Sequence, residues 1–208
     1  MDARNEVLKA FPGYKQIPNI VSPPVETFAG PDKSPRLAAI GNDEIKKIVE
    51  VNPEFYEGFI AGIPFNNVKA SVEEIKRAKD MGAKGIQIYT HMNGEAIDTE
   101  KYWPIYEACE KYDLPILIHP VGGQMVPEFP KEDRSKYELW FTIGWPYQTT
   151  IAMINRAKVL LTKTDKSITQ VAAECGYDDF TYFSRQFKKS TSLTPSAYRK
   201  THADEDEE

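Results

Sequence analysis

The chain has 208 residues, 41% of them apolar and 27% charged, with a formal net charge of −5. That composition fits a globular protein of one large or two small domains and excludes a fibrous or low-complexity chain. No apolar run approaches the roughly 20 residues that span a bilayer. The N-terminus MDARNEVLKAF lacks a signal-peptide core, so a cytoplasmic protein with no membrane partner is expected. Cys109 and Cys175 lie far apart, each inside an expected helix and without CxxC spacing, which predicts two reduced, partly buried thiols.

The first three-quarters alternates between strand and helix patterns. Tyr14–Val21 reads as a first strand despite Pro18, and Ser22-Pro23-Pro24 ends it. Pro35–Val51 follows as a helix with Leu37, Ile40, Ile45, Ile48 and Val49 in an apolar stripe, stopped by Asn52-Pro53. Tyr56–Ile63 is the second strand. Ser71–Met81 is the next helix, with Ser71 and Glu74 spaced as a capping box and Gly82 at its end. Gly85–Thr90 is the third strand, and Thr99–Tyr112 is a helix that tolerates Pro104 in its first turn. Leu114–His119 is a fourth strand, nearly all apolar as in strands covered on both faces.

This alternation predicts an α/β fold with parallel strands and right-handed crossovers. Ligands of such folds sit at the C-terminal ends of the strands. The residues expected there are Ser22, Pro64 to Asn67, His91 to Asn93, and His119. His91 and His119 close adjacent strands and are candidate metal ligands, though a catalytic zinc needs about three protein ligands and no third is evident. The Gly- and Pro-containing stretch Val121–Ser135 has the length of a lid or binding loop.

Gly144–Leu161 reads as one helix capped by Thr149 or Thr150, with Ile151, Ile154, Val159 and Leu160 near helical spacing. Two unrelated modules are expected to join inside it, near Met153–Asn155; the plainer alternative is one domain with a helical end. Ser167–Cys175 is a short helix with Ser167 and Gln170 as a capping box and Ile168, Val171, Ala172 and Cys175 on one face. Gly176 ends it. Asp178 or Asp179 then caps a second helix reaching about Ser190, with Phe180, Phe183 and Phe187 as the expected buried stripe. Thr181, Tyr182, Arg185, Gln186, Lys188 and Lys189 project elsewhere. This is the pattern of a helix-turn-helix, whose second helix enters the major groove. Residues 155–200 hold nine basic against four acidic side chains, which suits a polyanion, while five acidic residues over Asp204–Glu208 form an expected disordered tail.

Two family resemblances follow from these residues. SPPVETFAGPDKSPRLAAIGNDE, GAKGIQIYTHMNG, LPILIHP and SKYELWFTIGWPYQTT together resemble the amidohydrolase-related family, which includes the aminocarboxymuconate-semialdehyde and resorcylate decarboxylases. The resemblance covers about Met1 to Met153. It implies a (β/α)₈-type barrel, here only strands two to five, and a zinc-type metal. His119 matches a family metal ligand and His91 does not. The His-x-His pair of the family's first strand is absent from this sequence, and so are the later strands that supply further ligands. The implied metal-dependent hydrolase or carboxy-lyase activity is therefore expected to be lost. An incomplete barrel would leave sheet edges open to homo-oligomer formation.

INRAKVLLTKTDKSITQVAAECGYDDFTYFSRQFKKSTSLTPSAYRK resembles the C-terminal half of an AraC-type DNA-binding domain, over about Ile154–Lys200. The resemblance implies sequence-specific binding to double-stranded DNA and control of transcription. By position, Thr181, Tyr182 and Arg185 match base-reading residues, with Gln186 beside them. Ser167 and Lys188 match backbone-contact neighbourhoods, and Ala172, Gly176, Tyr177, Phe183, Phe187 and Pro195 match core and turn positions. Phe180 stands where a polar residue is more usual, and the first of the family's two helix-turn-helix units is missing.

The expected organisation is a partial barrel over 1–153, a helix-turn-helix over 154–202 and an acidic tail over 203–208. Three functions remain open: a DNA-binding regulator on an inactive scaffold, a metal-dependent enzyme with a helical appendage, and a chimera with neither activity.

Overall fold

A computed structural model describes residues 2–20, 23–121, 131, 133 and 140–202. Ser22, most of the stretch Val121–Ser135 and the whole acidic tail fall outside the described residues. The chain divides into two compact units, Met1–Gly123 and Gln124–Glu208. Among the described residues no helix is long and apolar enough to cross a membrane.

The first unit is α/β. It holds α1 (Asp2–Leu8), α2 (Ser34–Val51), β1 (Phe59–Gly62), α3 (Val68–Asp80), β2 (Ala83–Tyr89), α4 (Trp103–Lys111) and β3 (Ile116–His119). The three strands are parallel and in the order β1-β2-β3. Phe59, Ala61, Ile86 and Ile88 of the sheet pack with Ile75 and Ala78 of α3 and Ile105 and Cys109 of α4 in one core. Apolar burial of this kind is the main term favouring the fold. Asn42 ties α2 to β1: its amide nitrogen donates to Gly62 O at 2.8 Å and its oxygen accepts from Gly62 N at 3.0 Å. The side chain thereby acts as a one-residue extension of the strand ladder.

Three expectations for this unit are corrected. Tyr14–Ile20 is not a strand, and Val21 lies outside the described residues. Gln16 makes a single parallel bridge to Tyr56, and Pro18 contributes only its carbonyl, to Ile60 N at 2.9 Å; a proline has no N–H with which to continue a ladder. Ser71 and Glu74 form no capping box. The helix α3 begins earlier and is capped by Asn67, whose side chain accepts from Ala70 N at 3.0 Å. Ser71 instead donates to Pro64 O at 2.8 Å, and Glu74 receives Asn42 at 2.6 Å and Arg77 at 2.7 Å. Both residues are buried, so tertiary partners claim the groups that a cap would use. Finally, β3 is not covered on both faces: Leu117 is 46% exposed. The apolar content of LPILIH does not report which face is packed.

The second unit is all-helical. A π-turn over Trp140–Gly144 leads into α5 (Trp145–Lys163), followed by α6 (Ile168–Glu174), α7 (Phe180–Thr191) and α8 (Pro195–His202). Thr149 and Thr150 do not cap α5. Pro146 sits in its first turn, where a missing N–H costs nothing, and the two threonine hydroxyls donate back to Trp145 O and Pro146 O at 3.0 and 2.8 Å. The core of this unit joins Ile154, Ala157, Leu160 and Leu161 of α5 to Val171 and Ala172 of α6, Cys175 just after it, and Phe183 and Phe187 of α7. Burial pushes the Cys109 and Cys175 thiols up to about 12, so both are inert packing groups.

Candidate nucleic-acid interface

The geometry of α6 and α7 starts with their caps. Ser167 Oγ accepts from Gln170 N at 3.2 Å and Gln170 returns its side chain to Ser167 N at 2.8 Å, a complete capping box. Gly176, at φ +76°, turns the chain out of α6. Asp179 then caps α7, its carboxylate accepting from Tyr182 N at 2.8 Å. Tyr177 packs in the turn, with its ring centroid 5.2 Å from Phe183 and 6.2 Å from Tyr182. Phe183 and Phe187 are fully buried behind α7. Phe180 does not join them. It is 45% exposed, in the first turn of the helix.

Fixing the apolar side of α7 fixes the opposite side. Thr181, Tyr182, Arg185, Lys188 and Lys189 are all exposed, at positions that share one face of a 3.6-residue helix. Gln186 is half-buried at the edge of that face, and Ser167 is exposed at the start of α6. Arg185, Lys188 and Lys189 take part in no ion pair among the described residues. An outward row of hydroxyls and cations on a rigid helix can donate to base edges and phosphate oxygens.

Other basic residues of this unit are committed to structure. Arg199 of α8 donates to Leu161 O at 2.9 Å and Lys166 O at 2.6 Å, holding the end of α5 against the entry to α6. Lys166 pairs with Glu174 at 2.7 Å. In the sequence both count only as basic charge. A single arginine near a helix C-terminus gives no local signal that its target is a carbonyl 38 residues away.

The candidate metal ligand His119 ends β3 beside Tyr89 of β2, with ring centroids 6.1 Å apart in an edge-on arrangement. His91 Nδ1 accepts from Gly94 N at 3.1 Å. Among the described residues no three His, Cys, Asp or Glu side chains gather to hold a metal ion. The described residues therefore do not by themselves supply the ligand set that the barrel resemblance implies.

Comparison with known proteins places both halves. Residues 149–201 match the family described as a helix-turn-helix domain. The C-terminal region carries an AraC-type helix-turn-helix. The HTH-type transcriptional activator RhaR of Mannheimia succiniciproducens is 48% identical over 44 residues, 21% of this chain and 16% of that protein. The N-terminal region matches amidohydrolase-related decarboxylases. The 2-amino-3-carboxymuconate-6-semialdehyde decarboxylase of Dictyostelium discoideum is 32% identical over 130 residues, 61% of this chain and 34% of that protein. In fold, the chain is similar to the 5-carboxyvanillate decarboxylase of Novosphingobium aromaticivorans, solved with bound manganese. The TM-score is 0.62 and the identity 24%, over 83% of this chain and 47% of that one. The chain spans about a third of the length of the decarboxylase it matches in sequence.

Proposed function

We propose that this chain binds duplex DNA sequence-specifically in the cytoplasm and regulates transcription. The observation that carries the reading is the exposed row Thr181, Tyr182 and Arg185 on α7, held in place by the buried Phe183 and Phe187. In this reading α7 lies in the major groove with Arg185 on a guanine edge, and Gln186 reads from the margin of the contact. Lys188 and Lys189 meet phosphates, and Ser167 brings the N-terminus of α6 to the backbone. The reading module is taken as 154–202, because the helical core begins at Met153 and Ile154; the first unit and the tail over 203–208 modulate binding rather than specify sequence.

A single reading head makes few phosphate contacts, so affinity for one site is modest and a second copy is needed to read two half-sites. Sheet edges of the first unit are the proposed route to such a homo-oligomer. Selection from a random duplex pool tests the proposal: enrichment of a short motif is expected, with Arg185→Ala losing about tenfold to a hundredfold in affinity for it. No enrichment, or undiminished binding by the variant, contradicts it.

A metal-dependent hydrolase or carboxy-lyase is the second reading, favoured by the likeness of the first unit to decarboxylases. It requires zinc or manganese to find ligands besides His119. Stoichiometric metal in the purified protein supports it; metal-free protein favours the regulator, or a chimera with neither activity should DNA binding also fail.

A further inference from the structure

The first unit holds a small pocket at the C-terminal ends of its strands, with Glu26, Phe65, Tyr89, His91, Met92 and Asn93 on its wall. Residues 92–95 form the two-residue turn that shapes one side. Met92 and Glu95 exchange backbone hydrogen bonds at 2.9 Å, and Asn93 and Gly94 take φ of +50° and +88°. Asn-Gly is the pair that such a turn favours. Most polar groups on the wall already have partners. Asn93 donates to Glu26 O at 3.3 Å, Tyr89 Oη accepts from Gln87 at 3.0 Å, and His91 Nδ1 accepts from Gly94 N.

Glu26 is the exception. It is only 7% exposed. Its Oε1 accepts from Phe65 N at 2.6 Å, and its Oε2 is buried with no hydrogen-bond partner among the described residues. A buried carboxylate oxygen without a donor is costly, and burial pushes the Glu26 carboxyl above its usual range. The missing partner is a donor, and a cationic one is best because it supplies charge as well as a hydrogen bond.

We propose that this pocket binds a small organic cation with planar N–H donors, an amidinium group, through Glu26 Oε2. The site disfavours carboxylates, which would meet a buried acid. The proposal stands on the first unit alone and is independent of DNA binding.

Acetamidinium and acetate share a planar frame and carry opposite charges, which makes them the probes. Each is titrated into the ¹⁵N-labelled full chain at constant ionic strength while the amides of Phe65 and Asn93 are followed by NMR. Acetamidinium is expected to shift them to saturation and acetate is not, and Glu26→Gln is expected to weaken the acetamidinium response by about tenfold or more. Equal responses to the two ions, no saturable response to acetamidinium, or full binding by a folded Glu26→Gln variant would each overturn the proposal. If that variant does not fold, the comparison of the two ions on the unaltered chain still decides.

Discussion

Ser184 lies on α7 between the buried phenylalanines, with its hydroxyl enclosed and without a hydrogen-bond partner among the described residues. An enclosed hydroxyl that bonds nothing has lost water and gained no partner. Alanine at this position removes that group and is a better helix former. Ser184→Ala is expected to stabilise the helical unit by about 1 kcal/mol, read from chemical denaturation; a loss of similar size would show that the hydroxyl has a structural role. Glu26 gives a second prediction, with a pH signature. Its carboxyl binds its proton more tightly folded than unfolded. The folded state therefore holds more protons, and stability falls as pH rises from the ordinary carboxylate value of 4.5 through the raised one. Glu26→Gln removes that slope. The variant is expected to gain on the parent as pH rises above about 4.5 and to lose the advantage below it. Parallel unfolding curves across pH 3 to 8, with a constant difference, would refute this assignment.

At the scale of elements, α8 holds the helical unit together through one arginine. Arg199→Ala leaves Leu161 O and Lys166 O without their donor. It is expected to cost about 1.5–3 kcal/mol in stability while leaving the salt dependence of DNA binding unchanged. An altered salt slope with stability intact would move Arg199 to the DNA-contacting set. The caps explain which elements were legible from sequence. Ser167 and Gln170 are exposed, so nothing competes with the capping box and local spacing decides. Ser71 and Glu74 have the same spacing, but burial gives them tertiary partners and the cap passes to Asn67. Parallel pairing followed from the strand–helix alternation. Exposure of Leu117 and of Phe180 did not, because hydrophobicity alone does not say which face another element covers. The Asn93-Gly94 turn is legible in its dipeptide. The Glu26 pocket was not readable, since its wall comes from segments as far apart as Pro24 and Val121.

Taken whole, the molecule has two compact units of different character. One is a short parallel sheet with flanking helices, similar in fold to decarboxylases about twice the length of this chain. The other is a helical unit whose outward cations oppose the chain's net charge of −5. A net-acidic chain binds DNA only where positive charge is concentrated, so binding should be short-ranged and should weaken with salt, with a slope set by the few phosphate contacts of one helix. The most direct test is a fluorescence-anisotropy titration of a labelled duplex with the full chain at two salt concentrations, repeated with Arg185→Ala. The account predicts measurable binding at low salt that weakens as salt is raised, and that the Arg185→Ala variant lowers at both concentrations. Binding absent at low salt, or indifferent to both salt and Arg185, would contradict the claim that α7 reads DNA.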